Sequence, residues 1–591
     1  MANREELTQF LLSYKAKIRE EAQKLMGEEM PELTESLFAQ FETTGNRLNY
    51  ETVYFRRRKF LTMIGMAAII EKRDLGQVSQ RTLLALSRVV ENICAEECWA
   101  VPAHLSRSHP DWRLCVDLFA SETAQSLGEL FHWLKEDLPV HLLELIRVNV
   151  ERRVLVPFFD SEQYGWEKSD HNWNAVCTGS IGSACIHIRG RSEETDRNLQ
   201  RICDSLIYYI GGFAEDGTCM EGCSYFTYGM SYFVNFAQEL FEYSNGRIDL
   251  LCGDWEHFRA GEWDKRGRIA AFQSKCFFRD GRTVNFSDGS SRARFNLGLN
   301  LALKNHYPEI QLPNLSCGAD PEYDHCYRFV FRKMDVLETE RWLAEDRDSA
   351  RENAGASCCH ILPDAQWCIA NAENGVGMAC KGGHNEEAHN HNDVGHLIYE
   401  GHGTTFLEDL GAGEYIRDYF GPKRYEILCN SSRGHSVPIV NGKGQLPGRQ
   451  YRCSRFDADA TRERVTVDMD ISGAYGEKPG SMLRKLNFSL LDGELEVTDC
   501  FCFSRKQEVG ENLITKIKPE QSEEGILLSD GRWTAVLIID GVDHLHGVQV
   551  TAHPHSNHQG QPETVYAISW QVPLEDLNGT SRYRIKLMEE K

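Results

Sequence analysis

Five consecutive residues, His389-Asn-His-Asn-Asp393, put two imidazoles and a carboxylate at every second position. On an extended strand alternate side chains share a face, so His389, His391 and Asp393 are expected to point into one cavity. Imidazole and carboxylate are the donors that hold a borderline divalent ion and move protons near neutral pH. The stretch is therefore read as a metal-and-base geometry. A polar loop with incidental histidines is the plain alternative, and an isolated acidic residue and a further histidine near later strand ends weigh against it.

Two kinds of element must position these groups. Over the first 340 or so residues apolar side chains recur at helical spacing, as at Leu7, Phe10, Leu11, Tyr14 and Ile18, and again at Leu199, Ile202, Cys203, Leu206 and Ile210. Short Gly, Pro or Asp connectors between them suit helices packed in antiparallel pairs. From about residue 350 the period shortens to two. Alternating segments at 465–471, 486–491, 495–501, 533–539, 548–552, 566–570 and 583–587 are separated by Asp-Gly turns at 492–493, 530–531 and 540–541. The pattern predicts a helical domain over 1–345 and an antiparallel β-sandwich over 346–591. The histidine stretch lies just inside the β half, and its partners are expected from the helical half.

Composition sets outer limits. The chain has 591 residues, 41% hydrophobic and 26% charged, which is ordinary globular usage with room for two cores. No stretch reaches about 18 uninterrupted apolar residues, and the first residues run straight into charge, so no membrane segment and a cytoplasmic location are expected. A net charge of -23 argues against a nucleic-acid partner and requires that any anionic ligand meet a local positive cluster. The 20 cysteines, diluted and often inside apolar runs, are read as reduced thiols. No GxSxG or GxxxxGK[ST] motif occurs; the glycines at 179 and 182 are read as a close helix contact.

Three motifs in order, His171-Asn-Trp-Asn-Ala-Val-Cys177, Glu221-Gly-Cys-Ser-Tyr-Phe-Thr-Tyr-Gly229 and Ala388-His-Asn-His-Asn-Asp-Val-Gly395, with Asp409 and His435 after them, resemble the heparinase II/III-type polysaccharide lyases. The resemblance implies an incomplete (α/α) toroid followed by an antiparallel β-sandwich. It also implies β-elimination next to a hexuronic acid in an anionic glycan. Removing the C5 proton beside a carboxylate builds a second negative charge, so that carboxylate must first be neutralised. By resemblance Asn172 and His171 do this, Tyr225 is the catalytic acid and base, and His389 is the base for the opposite C5 epimer or a polariser. His391, Asp409 and His435 match a divalent metal site, Zn2+ first and Mn2+ compatible, chiefly structural. Asp393 then becomes a neighbouring or turn residue.

Trp99, His104, Tyr228, Tyr419, Tyr425 and Arg292 are further candidates for substrate contact. Tyr415 follows the Asp409 loop in the same way, and Arg279, Arg282 and Arg294 flank Asn285-Phe-Ser-Asp-Gly289 with Arg292. Gly229 stands where some heparinase-type enzymes carry an arginine, which puts sulfate recognition of that kind in question. The favoured substrates are glycosaminoglycan fragments such as heparan sulfate, hyaluronan or chondroitin, then alginate oligomers. A cupin-like metalloenzyme and a noncatalytic acidic-sugar binder are the competing readings, and a homo-oligomer is compatible with all of them.

Overall fold

A computed structural model describes residues 3–252, 263–345, 358–476 and 480–589. The chain forms two compact units, one of Met1–Phe213, Tyr225–Ala271 and Arg294–Arg351, the other of Ala214–Ser224, Phe272–Ala293 and Glu352–Lys591. The boundary expected at 345 lies after the last helix, and two earlier segments also belong with the second unit.

In the first unit helices alternate between two kinds. Leu48–Leu75, Leu118–Leu134 and Asn172–Arg189 are buried on nearly all sides over most of their length. Gln80–Cys94, Val140–Val150 and Glu193–Gly211 bury one stripe only. A helix apolar or paired all round must be an inner element and a striped one an outer element, which is the two-layer arrangement of an (α/α) toroid. Helix starts follow local chemistry: Ser79, Asp117, Ser192 and Asn296 each cap with a side-chain oxygen, and Asn3 and Glu6 form a reciprocal box. The inner helix Leu48–Leu75 carries buried cations because Glu96 receives both Arg57, at 2.6 Å, and Arg58, at 2.8 Å.

Glycine sets the closest helix approaches. A Cβ on Gly179 would stand 2.8 Å from the Tyr232 carbonyl oxygen, and one on Gly182 would enter the Phe236 ring. The close helix contact expected of these glycines is thus what the structure shows. A Cβ on Gly298 would overlap the Met334 carbonyl.

In the second unit every strand pairing is antiparallel. An eight-stranded sheet runs in the order Glu520–Gln521, Ile526–Ser529, Trp533–Ile539, Asn578–Glu589, Leu495–Phe503, Gly480–Ser489, Arg464–Asp470, Arg455–Ala460. Burial alternates along Leu495–Phe503 and Arg464–Asp470, as the period-two pattern predicts for strands with one covered face. A five-stranded sheet runs Cys358–Leu362, Trp367–Asn371, Val376–Lys381, Leu397–Gly401, Thr404–Leu407. Its three central strands are buried throughout. A four-stranded sheet, Gln549–Ser556, Pro562–Gln571, Val509–Thr515, Ile439–Val440, completes the sandwich around a core that includes Met378, Tyr399, Leu486, Val497, Leu513, Ile568 and Trp570. Gly493, Gly531 and Gly541 take positive φ in the expected Asp-Gly turns. No helix among the described residues is long and apolar enough to cross a membrane.

Candidate active site

The histidine stretch is not a strand. It lies in the irregular connection between Val376–Lys381 and Leu397–Gly401, and His389 sits at φ 58°, a left-handed conformation that a non-glycine residue rarely adopts. Such a conformation costs on the order of 1 kcal/mol and persists only where surrounding structure enforces it. The enforcing group is one that sequence reading passed over. Asp288 Oδ2 lies 2.7 Å from His389 Nδ1, and Asp288 Oδ1 lies 3.1 Å from His391 Nε2. The two histidines share a direction because they share a carboxylate, not because a strand alternates.

Asp288 is fully buried yet held well below the usual carboxylate range: burial pushes it up, and the hydrogen bonds and charges of His389 and His391 outweigh burial. Tyr415 donates to its Oδ2 at 3.0 Å, Tyr419 donates a short hydrogen bond to Oδ1, and Arg424 Nη2 stands 3.7 Å away. Ser287, the residue before it, is also at positive φ, 63°. The turn that presents Asp288 is pinned by Thr283 Oγ1 donating to the Ser290 carbonyl at 2.6 Å and Asn285 Nδ2 donating to the Asp409 carbonyl at 2.7 Å. On the other side of the His389 ring, Nε2 is 3.5 Å from Glu221 Oε1. Burial would lower the His389 pKa, but Asp288 and then Glu221 raise it above the ordinary value. A carboxylate faces each ring nitrogen, which favours the protonated ring.

A candidate metal group lies beside it. His391 Nδ1 and His435 Nε2 face each other at 3.2 Å. The far nitrogen of each is already engaged, His391 by Asp288 and His435 Nδ1 by the Ser431 carbonyl at 2.9 Å. Each far nitrogen faces an acceptor, and a cation between the two inner nitrogens would let both rings donate outward and ligate inward. Asp393 joins these two histidines in a compact group of buried donors. Asp409, the expected third ligand, has Oδ2 3.8 Å from His435 Nε2 and 3.3 Å from His396 Nε2. Oδ2 of Asp409 accepts no hydrogen bond among the described residues. The ammonium of Lys381, 2.9 Å from Asp393 and 3.2 Å from Glu387, is shared between acids. Two imidazoles and the buried Asp393 carboxylate fit a divalent cation, and Asp409 lies next to them, 3.8 Å from His435.

In the helical unit Asn172 is the first residue of Asn172–Arg189 and is buried, with His171 as its half-buried N-cap. Asn174 fixes this start by donating to the carbonyls of Glu167, Ser169 and Ser205. The N–H groups at a helix start favour negative charge near them. His104 packs on Trp173 at 4.9 Å and lies parallel to Phe119, and its Nδ1 is 2.8 Å from Asp117 Oδ2. Tyr225 is half-buried near the start of Cys223–Tyr243.

Other candidates are placed differently. Tyr228 donates to Glu122 at 2.5 Å under the Arg328 guanidinium, and burial followed by the Glu122 charge pushes its pKa well up, so it is a locked core residue. Trp99 is 1% exposed with its indole N–H on the Ile93 carbonyl, which leaves it no surface for a ligand. Tyr419 is equally buried and serves Asp288. Tyr425 is half-buried and donates to Asn390 Oδ1 at 3.0 Å. Arg292 is exposed. Arg279, Arg282 and Arg294 donate to the carbonyls of Glu373, Gly403 and Ser316, so these three guanidiniums brace loops. A Cβ at Gly229 would run into the Tyr209 hydroxyl, so no arginine fits there in this packing.

No family model matches the chain, and no curated protein matches it. Solved structures do. A heparinase III gene product shares 13% identity over 97% of this chain and 84% of that one, with a TM-score of 0.63. A mutant heparan sulfate lyase from Pedobacter heparinus shares 11% over 100% and 89%, at 0.61. A mutant chondroitin AC lyase of Streptomyces coelicolor A3 shares 12% over 97% and 79%, at 0.50. At such identities the likeness establishes the fold: the chain has the heparinase-like polysaccharide lyase fold, a helical toroid followed by an antiparallel β-sandwich.

Proposed function

We propose that the protein is a polysaccharide or oligosaccharide lyase that cleaves uronic-acid-containing glycans by β-elimination. The observation that carries this reading is the buried Asp288 that fixes His389 in a left-handed loop conformation, in a chain with this fold. Neighbours of the same fold are titled heparinase III, heparan sulfate lyase and chondroitin AC lyase, which favours glycosaminoglycan fragments over alginate oligomers as substrate.

The roles are assigned by chemistry. Asn172 and His171, at a helix start, donate to the uronate carboxylate and lower the cost of the charge that develops when the C5 proton leaves. Tyr225 takes the C5 proton for one epimer and returns a proton to O4. The C5–H electrons become the C4–C5 double bond as the C4–O4 bond breaks. His389, a donor held between Asp288 and Glu221, polarises the carboxylate; for the opposite epimer it is the candidate base. His391 and His435 with Asp393 and Asp409 would hold a divalent ion, zinc being the fitting one. The ion would neutralise the two acids and lock the loop that carries His389.

The test is ultraviolet absorbance of the unsaturated uronide when the protein meets short oligomers of heparan sulfate, hyaluronan, chondroitin and alginate. Turnover is expected on at least one, and Tyr225→Phe is expected to remove most of it while circular dichroism stays unchanged. A silent panel, or a Tyr225→Phe variant as fast as the wild type, would overturn the assignment.

A further inference from the structure

Among the described residues four groups bring three metal-ligating side chains together. One is the His391 group. In a second, Glu129, His187 and Glu239, the Lys333 ammonium stands 2.5 Å from Glu129 and 2.6 Å from Glu239, so the protein already supplies the cation. In a third, Asp324 of Asp324, His325 and Cys326 is held by Arg328 at 2.6 Å and Arg332 at 2.7 Å. The fourth is Asp249, Cys252 and His306, whose donor atoms all lie within 4.8 Å of one another. The charged neighbour here is Arg266, whose guanidinium acts on Cys252 and donates to the Leu250 carbonyl at 3.1 Å.

We propose that Asp249, Cys252 and His306 form a second divalent-metal site, suited to zinc and separate from the histidine group of the β-sandwich. Thiolate, imidazole and carboxylate are three ligand types that zinc takes together, and Cys⁻ with Asp⁻ balances a 2+ ion. Cys252 Sγ and His306 Nδ1 are 3.1 Å apart. Tetrahedral zinc with ordinary bond lengths would separate sulfur and nitrogen by about 3.6 Å, so the pair needs to open by only about 0.5 Å.

The scaffold is preorganised. Asp249 Oδ1 accepts from the backbone N–H of Leu251 and of Cys252, both at 2.9 Å, which closes the turn and aligns the acid with the thiol. Leu250 and Leu251 anchor the turn in the core. Tyr307, the residue after His306, donates to the Leu251 carbonyl at 2.6 Å, and Arg266 donates to the Leu250 carbonyl at 3.1 Å. His306 ends the helix Leu297–His306, so a bound ion would clip that helix end to the turn. All three side chains are only half-buried, which gives an ion a way in. The thiol binds an ion as thiolate, so binding would release the Cys252 proton.

Cobalt(II) separates this site from the other because only this one offers a sulfur. Titrating the chelator-stripped full chain with Co2+ is expected to produce the near-ultraviolet thiolate-to-cobalt band with one equivalent bound at this site. The band should vanish in Cys252→Ser and in His306→Gln, and persist in His391→Ala. Lyase activity is not needed for the readout, so failure of the proposed function leaves it intact. No band in the wild type, or an undiminished band in folded Cys252→Ser or His306→Gln, would overturn the site.

Discussion

Asp288 meets two histidines, two tyrosines and a nearby guanidinium with only two oxygens, so its charge and its shape do different work. Asp288→Asn keeps the shape and one acceptor but turns a donor toward one of the rings. The expected result is at least a tenfold loss of turnover. Metal affinity at the His391 group should fall 10- to 100-fold, the usual range when a residue orienting a ligand histidine is lost. Asp288→Ala should also destabilise by about 3–5 kcal/mol, because the cations it pairs would stay buried. Turnover and isothermal metal titration of Asp288→Asn check this, and wild-type values in both would refute the role. Sequence made the histidines legible because their spacing is unusual; it hid Asp288, which lies 101 residues from His389 in an Asn-Phe-Ser-Asp-Gly turn that looks like any solvated connector. The flanking arginines draw the eye in sequence, yet three of them brace carbonyls, and the cation beside Asp288 is Arg424. Alternation places Asp393 with the histidines and the resemblance sets it aside for Asp409; the compact donor group holds Asp393 with His391 and His435, although no strand alternates there.

Helices and strands were legible wherever one face is covered, because a covered face writes its period into the sequence. The segments read at 465–471, 495–501 and 533–539 match Arg464–Asp470, Leu495–Phe503 and Trp533–Ile539 closely. Inner helices are harder to delimit by pattern, since Leu48–Leu75 is buried on nearly every side and carries paired Arg and Lys inside. Glycine is the clearer sign there, and two positions make a ranked prediction. Gly298→Ala would drive a methyl into the backbone of Met334 and Asp335, which cannot yield without moving the helix Phe329–Ala344. Gly182→Ala would meet the ring of Phe236, which can turn. Urea denaturation is expected to show a loss of about 3 kcal/mol or more for Gly298→Ala and about 1–2 kcal/mol for Gly182→Ala, within the range for overpacked contacts. Equal losses, or the reverse order, would mean that the two helix contacts do not differ in rigidity.

At the scale of the molecule 88 acidic side chains stand against 65 basic ones, so each carboxylate that ionises adds self-repulsion, and the helical unit contains an acid that resists ionising. Asp335 is fully buried; burial raises its pKa from 3.8 to about 7 against the opposing pull of the Gly298 N–H, Tyr14 and Arg332. A carboxyl whose folded pKa exceeds its unfolded one binds more protons in the native state between the two values. Its contribution therefore favours the fold below pH 3.8, declines as pH rises, and is fully lost above about 7. This is opposite in sign to Asp324, which Arg328 and Arg332 hold below the usual range despite burial, and whose contribution is lost only as pH falls. Between pH 5 and pH 7 the Asp335 effect amounts to about 2 kcal/mol, taking one pKa unit as about 1.4 kcal/mol. Asp335→Asn keeps an acceptor for the Gly298 N–H, 2.7 Å from Oδ1, and cannot ionise. Denaturation midpoints of wild type and variant at pH 5 and pH 7, followed by tryptophan fluorescence, are the check. The wild type is expected to lose about 2 kcal/mol more than the variant across that interval. Parallel pH dependence in the two proteins would show that Asp335 ionises at an ordinary pH, and that the helical unit tolerates a buried charge between Tyr14 and the Gly298 helix.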